Sequence, residues 1–214
     1  MKPMPPTTTP LTRSTAWLAA ALVCCSLAAA QLAGCRSGRG PYSGQSEAAR
    51  SPAQAERLTL EAADRIAAGG DGDLDRAEAL LREALAADLF HGPAHNNLGV
   101  VHLKRGRLYE AASEFEWARK LMPGHPDPRV NLALTLERAG RPDDAAEAYG
   151  AALEVHPGHM PATQGLARLE ARRGRYDAGT SARLREIALG GTSEAWQSWA
   201  RGRLARLEPG EAGS

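Results

Sequence analysis

Apolar residues in the middle of the chain recur at spacings of three and four, the period of an amphipathic helix. Leu98, Val101 and His102 share one helical face. After Gly106, a second series of the same kind follows, consisting of Leu108, Ala111, Ala112, Phe115 and Ala118. Gly106 can end the first helix in a left-handed conformation, and Pro123 stops the second. The pattern predicts a pair of helices joined by a tight turn.

This helical pair repeats along the chain every 34 residues. Leu98 aligns with Leu132 and Leu166, and further matches at the same spacing are Gly106 with Gly140 and Gly174, Ala111 with Ala145, Phe115 with Tyr149, Ala118 with Ala152, and Pro123 with Pro157. In the backward direction, Gly72, Ala77, Leu81 and Ala84 occupy the same register. Gly72 is therefore expected in the turn of the first repeat, with Asp73 or Asp75 capping the helix after it. A fixed period of this length is the signature of stacked helical repeats.

The repeated residues resemble the tetratricopeptide-repeat family, in which Leu-Gly, a turn Gly, Ala, an aromatic residue and a closing Pro recur in this order. The resemblance divides the chain into repeats at 58–91, 92–125, 126–159 and 160–190, within a repeat domain of residues 52–190. It implies an all-α solenoid of three to four helix-turn-helix repeats. The first and last repeats depart from the pattern, since Leu89 replaces the Pro, and Gly179 and Arg183 replace the Ala and the aromatic residue.

A solenoid needs a polar-faced cap at its end, because a terminal repeat cannot bury its own apolar side. Residues 191–208 are predicted to form this capping helix, with Thr192 or Ser193 at its N-terminus. Its inner side is expected to carry the packing residues Trp196, Trp199, Leu204 and Leu207. Residues 209–214 are predicted to be a disordered tail.

In the family that the chain resembles, the first helices of successive repeats line a concave groove that takes a peptide. Alignment to the family implies that the partner-binding groove consists of Asn96, Asn97, Val100, Leu103, Lys104, Val130, Asn131, Leu134, Glu137, Arg138, Gln164, Arg168 and Arg172. The amides of Asn97 and Asn131 suit a peptide backbone, because each can donate and accept hydrogen bonds. Asn can also be simply common at this repeat position. Where some family members place a Lys that binds a C-terminal carboxylate, this chain has Thr59, Pro93, Asp127 and Pro161.

Composition and charge narrow the functional classes. The formal net charge is +1, so nucleic-acid binding is not indicated. The charge is nevertheless uneven, since residues 52–90 carry nine acidic and four basic side chains, whereas residues 168–206 carry nine Arg and four acidic side chains. This asymmetry fits two solvated faces, an anionic partner, or weak head-to-tail self-association.

The N-terminal segment has the composition of an export signal rather than of a folded domain. Basic Lys2 and Arg13 precede an uncharged apolar run, and that run ends in Leu32-Ala33-Gly34-Cys35. The tetrapeptide resembles the lipobox of bacterial lipoproteins. The resemblance implies that residues 1–34 are a signal peptide and that Cys35 is the lipid attachment site. Two alternatives stay open: cleavage at the small residues 28–30, or an uncut membrane anchor.

Residues 35–51 are expected to form the lipidated Cys and a flexible, Gly- and Ser-rich tether. Several acyl chains hold a protein stably on a bilayer, whereas a single chain does so only marginally. The expected location is therefore an extracytoplasmic face of the cell membrane or outer membrane.

Candidate chemistry is sparse. His91 and His95 have a metal-like spacing, but Gly92-Pro93 lies between them, and no catalytic motif is present. The alternating acids of residues 69–75 resemble a calcium loop only faintly, because the downstream ligand spacing is missing. We expect neither a metal nor another cofactor.

Three functional hypotheses follow from these observations. The first is a membrane-anchored, non-enzymatic adaptor that binds a peptide or protein in a repeat groove within a cell-envelope complex. The second is a structural or self-associating spacer without a groove ligand. The third is a metal-binding protein or an enzyme subunit on a helical scaffold.

Overall fold

A computed structural model describes residues 50–207 of the chain. The predicted signal peptide, the predicted tether up to residue 49 with Cys35, and the tail predicted at 209–214 lie outside the described residues. The described part contains nine helices and no strand. They are α1 Pro52–Ala68, α2 Asp71–Ala87, α3 Gly92–Lys104, α4 Leu108–Leu121, α5 Asp127–Arg138, α6 Pro142–Val155, α7 Met160–Arg172, α8 Ala178–Gly190 and α9 Glu194–Leu207.

Consecutive helices pack in antiparallel-type pairs, α1 with α2, α3 with α4, α5 with α6 and α7 with α8, and each pair stacks on the next. The predicted all-α solenoid of three to four repeats is thus confirmed, with four helix pairs in the described residues. Stacking is necessary because one pair leaves an apolar face exposed, and the next pair covers it.

Small residues, together with one aromatic ring in each of the second and third repeats, fill the space between the helices. Ala111, Phe115 and Ala118 of the second repeat are fully buried, as are their counterparts Ala145, Tyr149 and Ala152 of the third. Alanine allows the helix backbones to approach closely, and the ring occupies the remaining volume. These are the positions that the 34-residue period predicts for the core.

The turn of the first repeat differs from the prediction. Gly106, Gly140 and Gly174 have φ values of 73°, 74° and 68°, whereas the corresponding left-handed residue of the first repeat is Gly69, with φ 77°. Gly72 lies inside α2, and Gly70 rather than Asp73 or Asp75 is the N-cap. The first turn is displaced because α2 begins one helical turn earlier than the register predicts, with Asp71 and Asp73 in its first turn, where carboxylates favour the helix dipole.

The C-terminal helix covers the last repeat. Fully buried Ala200 of α9 joins Ala167, Leu184 and Ile187 in one apolar cluster, and the partly buried members of that cluster include Trp196, Trp199, Leu204 and Leu207. The hydroxyl of Ser193 accepts a hydrogen bond from the backbone N–H of Trp196 at 3.4 Å. Packing of α9 against the last repeat agrees with the predicted capping role.

Candidate functional site

The first helices of successive repeats contact one another, α1 with α3, α3 with α5, and α5 with α7. Together they form one continuous face of the solenoid, which we call the groove face. All thirteen residues predicted for partner binding lie on α3, α5 and α7. The structure therefore brings the predicted positions to one side of the molecule.

A chain of asparagine amides crosses the groove face from one repeat to the next. Nδ2 of Asn131 donates to Oδ1 of Asn96 at 3.0 Å, and Nδ2 of Asn96 donates to Oδ1 of Asn97 at 3.4 Å. All three side chains are partly exposed. Within residues 50–207, no side-chain hydrogen bond uses Oδ1 of Asn131 or Nδ2 of Asn97. This asparagine chain therefore ends in one open acceptor, Oδ1 of Asn131, and one open donor, Nδ2 of Asn97. These are the two kinds of group that a peptide unit needs.

Three of the predicted residues are buried, so they shape the groove face from beneath. Leu103 and Val130 are 8% and 7% exposed and belong to apolar clusters. Gln164 is 4% exposed, and its Oε1 accepts a hydrogen bond from the hydroxyl of Thr192 at 3.1 Å. Val100 and Leu134 are half-buried and pack on the same cluster as Leu103, which leaves them some apolar surface.

Glu137 holds the third and fourth repeats together. Its Oε1 accepts hydrogen bonds from the hydroxyl of Tyr149 and from Nη2 of Arg168, each at 2.7 Å, and Nη1 of Arg172 lies 3.8 Å from Oε2. Burial, together with this hydrogen bond to Glu137, raises the pKa of Tyr149 above its usual range. Glu137 and Arg168 are thus occupied by contacts within the protein.

The other basic residues that were predicted to bind a partner lie at the C-terminal ends of the first helices. Lys104, Arg138 and Arg172 end α3, α5 and α7 at intervals of 34 residues, and all three are exposed. We call them the cation column. Arg172 also borders a surface depression of about 310 Å³ between the third and fourth repeats.

An ion cluster that the sequence pattern did not predict lies between the first and second repeats. Buried Glu78 accepts hydrogen bonds from Arg105 at 2.5 Å and from Arg107 at 2.6 Å, and Arg82 pairs with it at 2.6 Å. Burial alone would raise the pKa of Glu78, but the hydrogen bond from Arg107 and the charges of Arg82 and Arg107 outweigh it and lower that pKa. The available signal was the pair of Arg residues flanking Gly106, together with buried Glu78 on α2 of the first repeat.

The side chains of His91 and His95, the two histidines with a metal-like spacing, contact different acidic residues. Nδ1 of buried His95 lies 2.6 Å from Oε2 of Glu114, Nε2 lies 2.9 Å from the carbonyl oxygen of Leu89, and the ring stacks on Trp117. His91 contacts Glu56 instead of joining His95. Among the residues that the structure describes, no group of three or more His, Cys, Asp or Glu side chains is placed to hold a metal ion.

Comparison with known proteins identifies the repeat family. The sequence profile described as Protein kinase G tetratricopeptide repeat matches residues 20–197, more than half of the chain. The chain belongs to this tetratricopeptide-repeat family. No curated protein sequence matches the chain.

Solved tetratricopeptide-repeat structures share the fold. PilF of Pseudomonas aeruginosa aligns with a TM-score of 0.62 at 21% identity, covering 75% of this chain and 70% of PilF. MamA aligns with a TM-score of 0.55 at 18% identity, covering 73% of this chain and 83% of MamA. The first repeat domain of Spaghetti (RPAP3), solved with the HSP90 peptide SRMEEVD, aligns with a TM-score of 0.54 at 16% identity, covering 59% of this chain and 98% of that domain.

Tetratricopeptide repeats typically serve as protein-interaction scaffolds. Within residues 50–207, no helix is both long enough and apolar enough to cross a bilayer.

Proposed function

We propose that this protein is a non-enzymatic adaptor, tethered to a membrane by a lipid on Cys35, that binds an extended segment of a partner protein on its groove face. The observation that carries the proposal is the asparagine chain from Asn131 through Asn96 to Asn97, which ends in one open acceptor and one open donor. A partner backbone can satisfy both groups without displacing a contact of the fold.

The neighbouring structures support the mode of binding rather than the identity of the partner. The RPAP3 domain was solved with a bound peptide, so this fold can take an extended ligand. At 16% identity that ligand is not transferred to this chain. This chain also lacks Lys at the positions where some family members bind a C-terminal carboxylate, where it has Thr59, Pro93, Asp127 and Pro161. Recognition of a C-terminal carboxylate in the same way is therefore not expected.

The adaptor proposal is tested by partner recovery from native membranes. Crosslinked complexes of the full chain are purified and compared with those of the Asn97→Ala, Asn131→Ala double variant. We expect the double variant to lose the partner while keeping its helical content and melting temperature. A control carries Ser113→Ala and Glu154→Ala, which change exposed residues of the second helices α4 and α6. Equal recovery from all three proteins would contradict binding on the groove face.

Membrane tethering rests on the sequence Leu32-Ala33-Gly34-Cys35 after an uncharged apolar run. A thioether-linked lipid at Cys35 would place the repeat domain on an extracytoplasmic surface, with residues 36–51 as the tether. Mass spectrometry of the N-terminal peptide and membrane fractionation of a Cys35→Ala variant test this part. An unlipidated peptide that begins after residue 30 would replace the lipoprotein by an exported soluble protein.

Self-association is the second candidate function, because of the charge asymmetry between α1–α2 and α7–α9. The nine acidic residues of 52–90 and the nine Arg of 168–206 would attract one another in a head-to-tail contact. Light scattering of the full chain in detergent at low and high salt distinguishes this candidate. A mass that falls with added salt supports it, and a monomer at every salt concentration excludes it.

A further inference from the structure

Among the described residues, the cation column is only weakly neutralised, because Glu137 is the one carboxylate that pairs with any of its members. Lys104 makes no side-chain hydrogen bond or ion pair within the part of the chain that the structure describes. Arg138 donates to the backbone carbonyl of Leu103 at 3.1 Å, so its charge is not neutralised by that contact. Arg172, with a side chain 70% exposed, lies 3.8 Å from Glu137, whose closer partner is Arg168 at 2.7 Å.

The column is continuous because each Arg extends toward the preceding first helix. Arg138 reaches Leu103 and Arg172 reaches Glu137, in both cases the residue 35 positions earlier. The hydrogen bond from Asn131 to Asn96 spans the same 35 positions. The cation column and the asparagine chain therefore follow the same step from repeat to repeat, and both lie on the groove face.

We propose that the groove-face ligand is an acidic peptide in a polyproline-II conformation, with a carboxylate at every third residue facing Lys104, Arg138 and Arg172. The proposal rests on the proposed use of the groove face and specifies its partner. The expected step of the ligand comes from the general spacing of packed helices, which is about 8–10 Å. In a polyproline-II chain, every third residue returns to the same side after about 9 Å, since the rise is about 3.1 Å per residue.

A cation in the last turn of a helix also offsets the helix dipole, and this effect alone could account for one such residue. The dipole effect does not require three successive first helices to carry an exposed cation at the same repeat position. The dipole effect also does not explain why the nearby acidic side chains pair with other cations. Glu137 pairs with Arg168, and Glu78 pairs with Arg105 and Arg107. This arrangement leaves a net positive edge, which complements an acidic ligand.

Two synthetic peptides of identical composition test the spacing. Each is acetylated and C-terminally amidated, so neither offers a terminal carboxylate. One carries three Glu at every third position with Pro and Ala between them, and the other carries the three Glu side by side. Binding to the full chain in neutral detergent is measured by fluorescence anisotropy. We expect the spaced peptide to bind roughly threefold or more tightly than the clustered peptide, and added salt to weaken it.

Charge reversal tests the residues. The Lys104→Glu, Arg138→Glu, Arg172→Glu variant should bind the spaced peptide roughly tenfold or more weakly, and the corresponding triple Gln variant should lose less. The matched control reverses Lys120, Arg201 and Arg206, exposed cations of α4 and α9. It has the same net charge, and its affinity should stay close to that of the parent. Circular dichroism melts verify folding, and the Gln variant preserves the test if the Glu variant unfolds.

The outcomes separate this inference from the adaptor proposal. If the native partner depends on Asn97 and Asn131 while neither peptide binds, the acidic ligand is wrong and the adaptor stands. If those Asn substitutions also leave partner recovery unchanged, both proposals fail. Equal affinity for the two peptides, an equal loss in the control variant, or column-dependent binding to anionic vesicles without peptide binding would each overturn the acidic-peptide ligand.

Discussion

Aromatic rings and glycines interlock at two places in the core. The ring of Phe115 lies against Gly99 of its own repeat, where an added Cβ would come within 2.6 Å of the ring. Tyr149 instead contacts Gly165 of the following repeat, and a Cβ there would lie 2.8 Å from the hydroxyl oxygen and closer still to the ring. Because Tyr149 is fully buried and its hydroxyl is hydrogen-bonded to Glu137, its ring cannot move freely to make room for a Cβ at residue 165.

Gly165→Ala is therefore expected to destabilise the protein by about 1–3 kcal/mol, the usual cost of overpacking, although Ala favours helix by up to about 1 kcal/mol. Urea unfolding followed by circular dichroism measures the change. The control is Gly150→Ala in α6, where nothing lies within 4 Å of the added Cβ. That control should stabilise the helix slightly, so equal effects at the two sites would contradict the proposed packing.

Glu78 links stability to pH. Its pKa in the folded protein lies below the ordinary value of 4.5, since the hydrogen bond from Arg107 and the neighbouring Arg charges outweigh the effect of burial. A depressed carboxylate pKa adds stability above the unfolded-state pKa, and this contribution is lost as the pH falls through the folded-state pKa.

Glu78→Gln should consequently lower the free energy of unfolding at pH 7 by about 1–2 kcal/mol, because charge-assisted hydrogen bonds to Arg105 and Arg107 are weakened. The difference from the parent should shrink below about pH 4.5, as the parent carboxylate becomes protonated. Glu83→Gln, an exposed position on the same helix, is the control and should have little effect. A pH-independent difference would argue against an ionic contribution from Glu78.

These residue-level contacts mark the limit of what the sequence could predict. The period identified Phe115 and Tyr149 as equivalent core positions, but not that the ring of Phe115 lies against Gly99 and the ring of Tyr149 against Gly165. These contacts depend on where a glycine lies at the point of closest approach between the helices. Similarly, the ion cluster of Glu78 could not be predicted without knowing that the turn at Gly106, with Arg105 and Arg107, faces α2.

At the scale of the elements, the capping helix completes the apolar core. Ala200 is the member of α9 that is fully buried, and it packs into the cluster containing Leu184 and Ile187. The indole rings of Trp196 and Trp199 meet edge to face at a centroid distance of 5.4 Å beside this contact. The inner side of α9 was predictable from helical spacing, since its apolar residues recur on one face.

Ala200→Asp should detach α9, because a carboxylate at this position would be buried without a partner, at a cost of several kcal/mol. The same substitution at exposed Ala205 is the control on the same helix. Hydrogen exchange should show loss of protection in α9 and in the adjoining α8 for Ala200→Asp alone. Protection of α9 that is unchanged in this variant would mean that the helix does not depend on its contact with the last repeat.

In the regular second and third repeats, Gly106, Gly140 and the prolines interrupt the helices. The first repeat differs, because α1 begins at Pro52 and α2 gains an acidic first turn before Leu74. The turn therefore lies three residues before the position that the period predicts, at Gly69 instead of Gly72.

Across the whole molecule, the 34-residue step produces both the fold and the candidate binding surface. The predicted groove residues lie together because each first helix contacts the first helix of the next repeat. This arrangement does not depend on any single residue. The burial of Leu103, Val130 and Gln164 was not predictable from register alone, since it depends on how closely neighbouring helices approach. The partner contacts of the exposed residues remain a prediction.

Site-specific photocrosslinking in native membranes tests the central claim most directly. A small diazirine side chain is placed at Val100 on the groove face or at Tyr109 on α4, which is 86% exposed in the same repeat. We predict a discrete partner adduct from Val100 and none from Tyr109, with the Val100 adduct lost when Asn97 and Asn131 become Ala. Adducts of the same partner from Tyr109 alone, or equally from both positions, would contradict partner binding on the groove face.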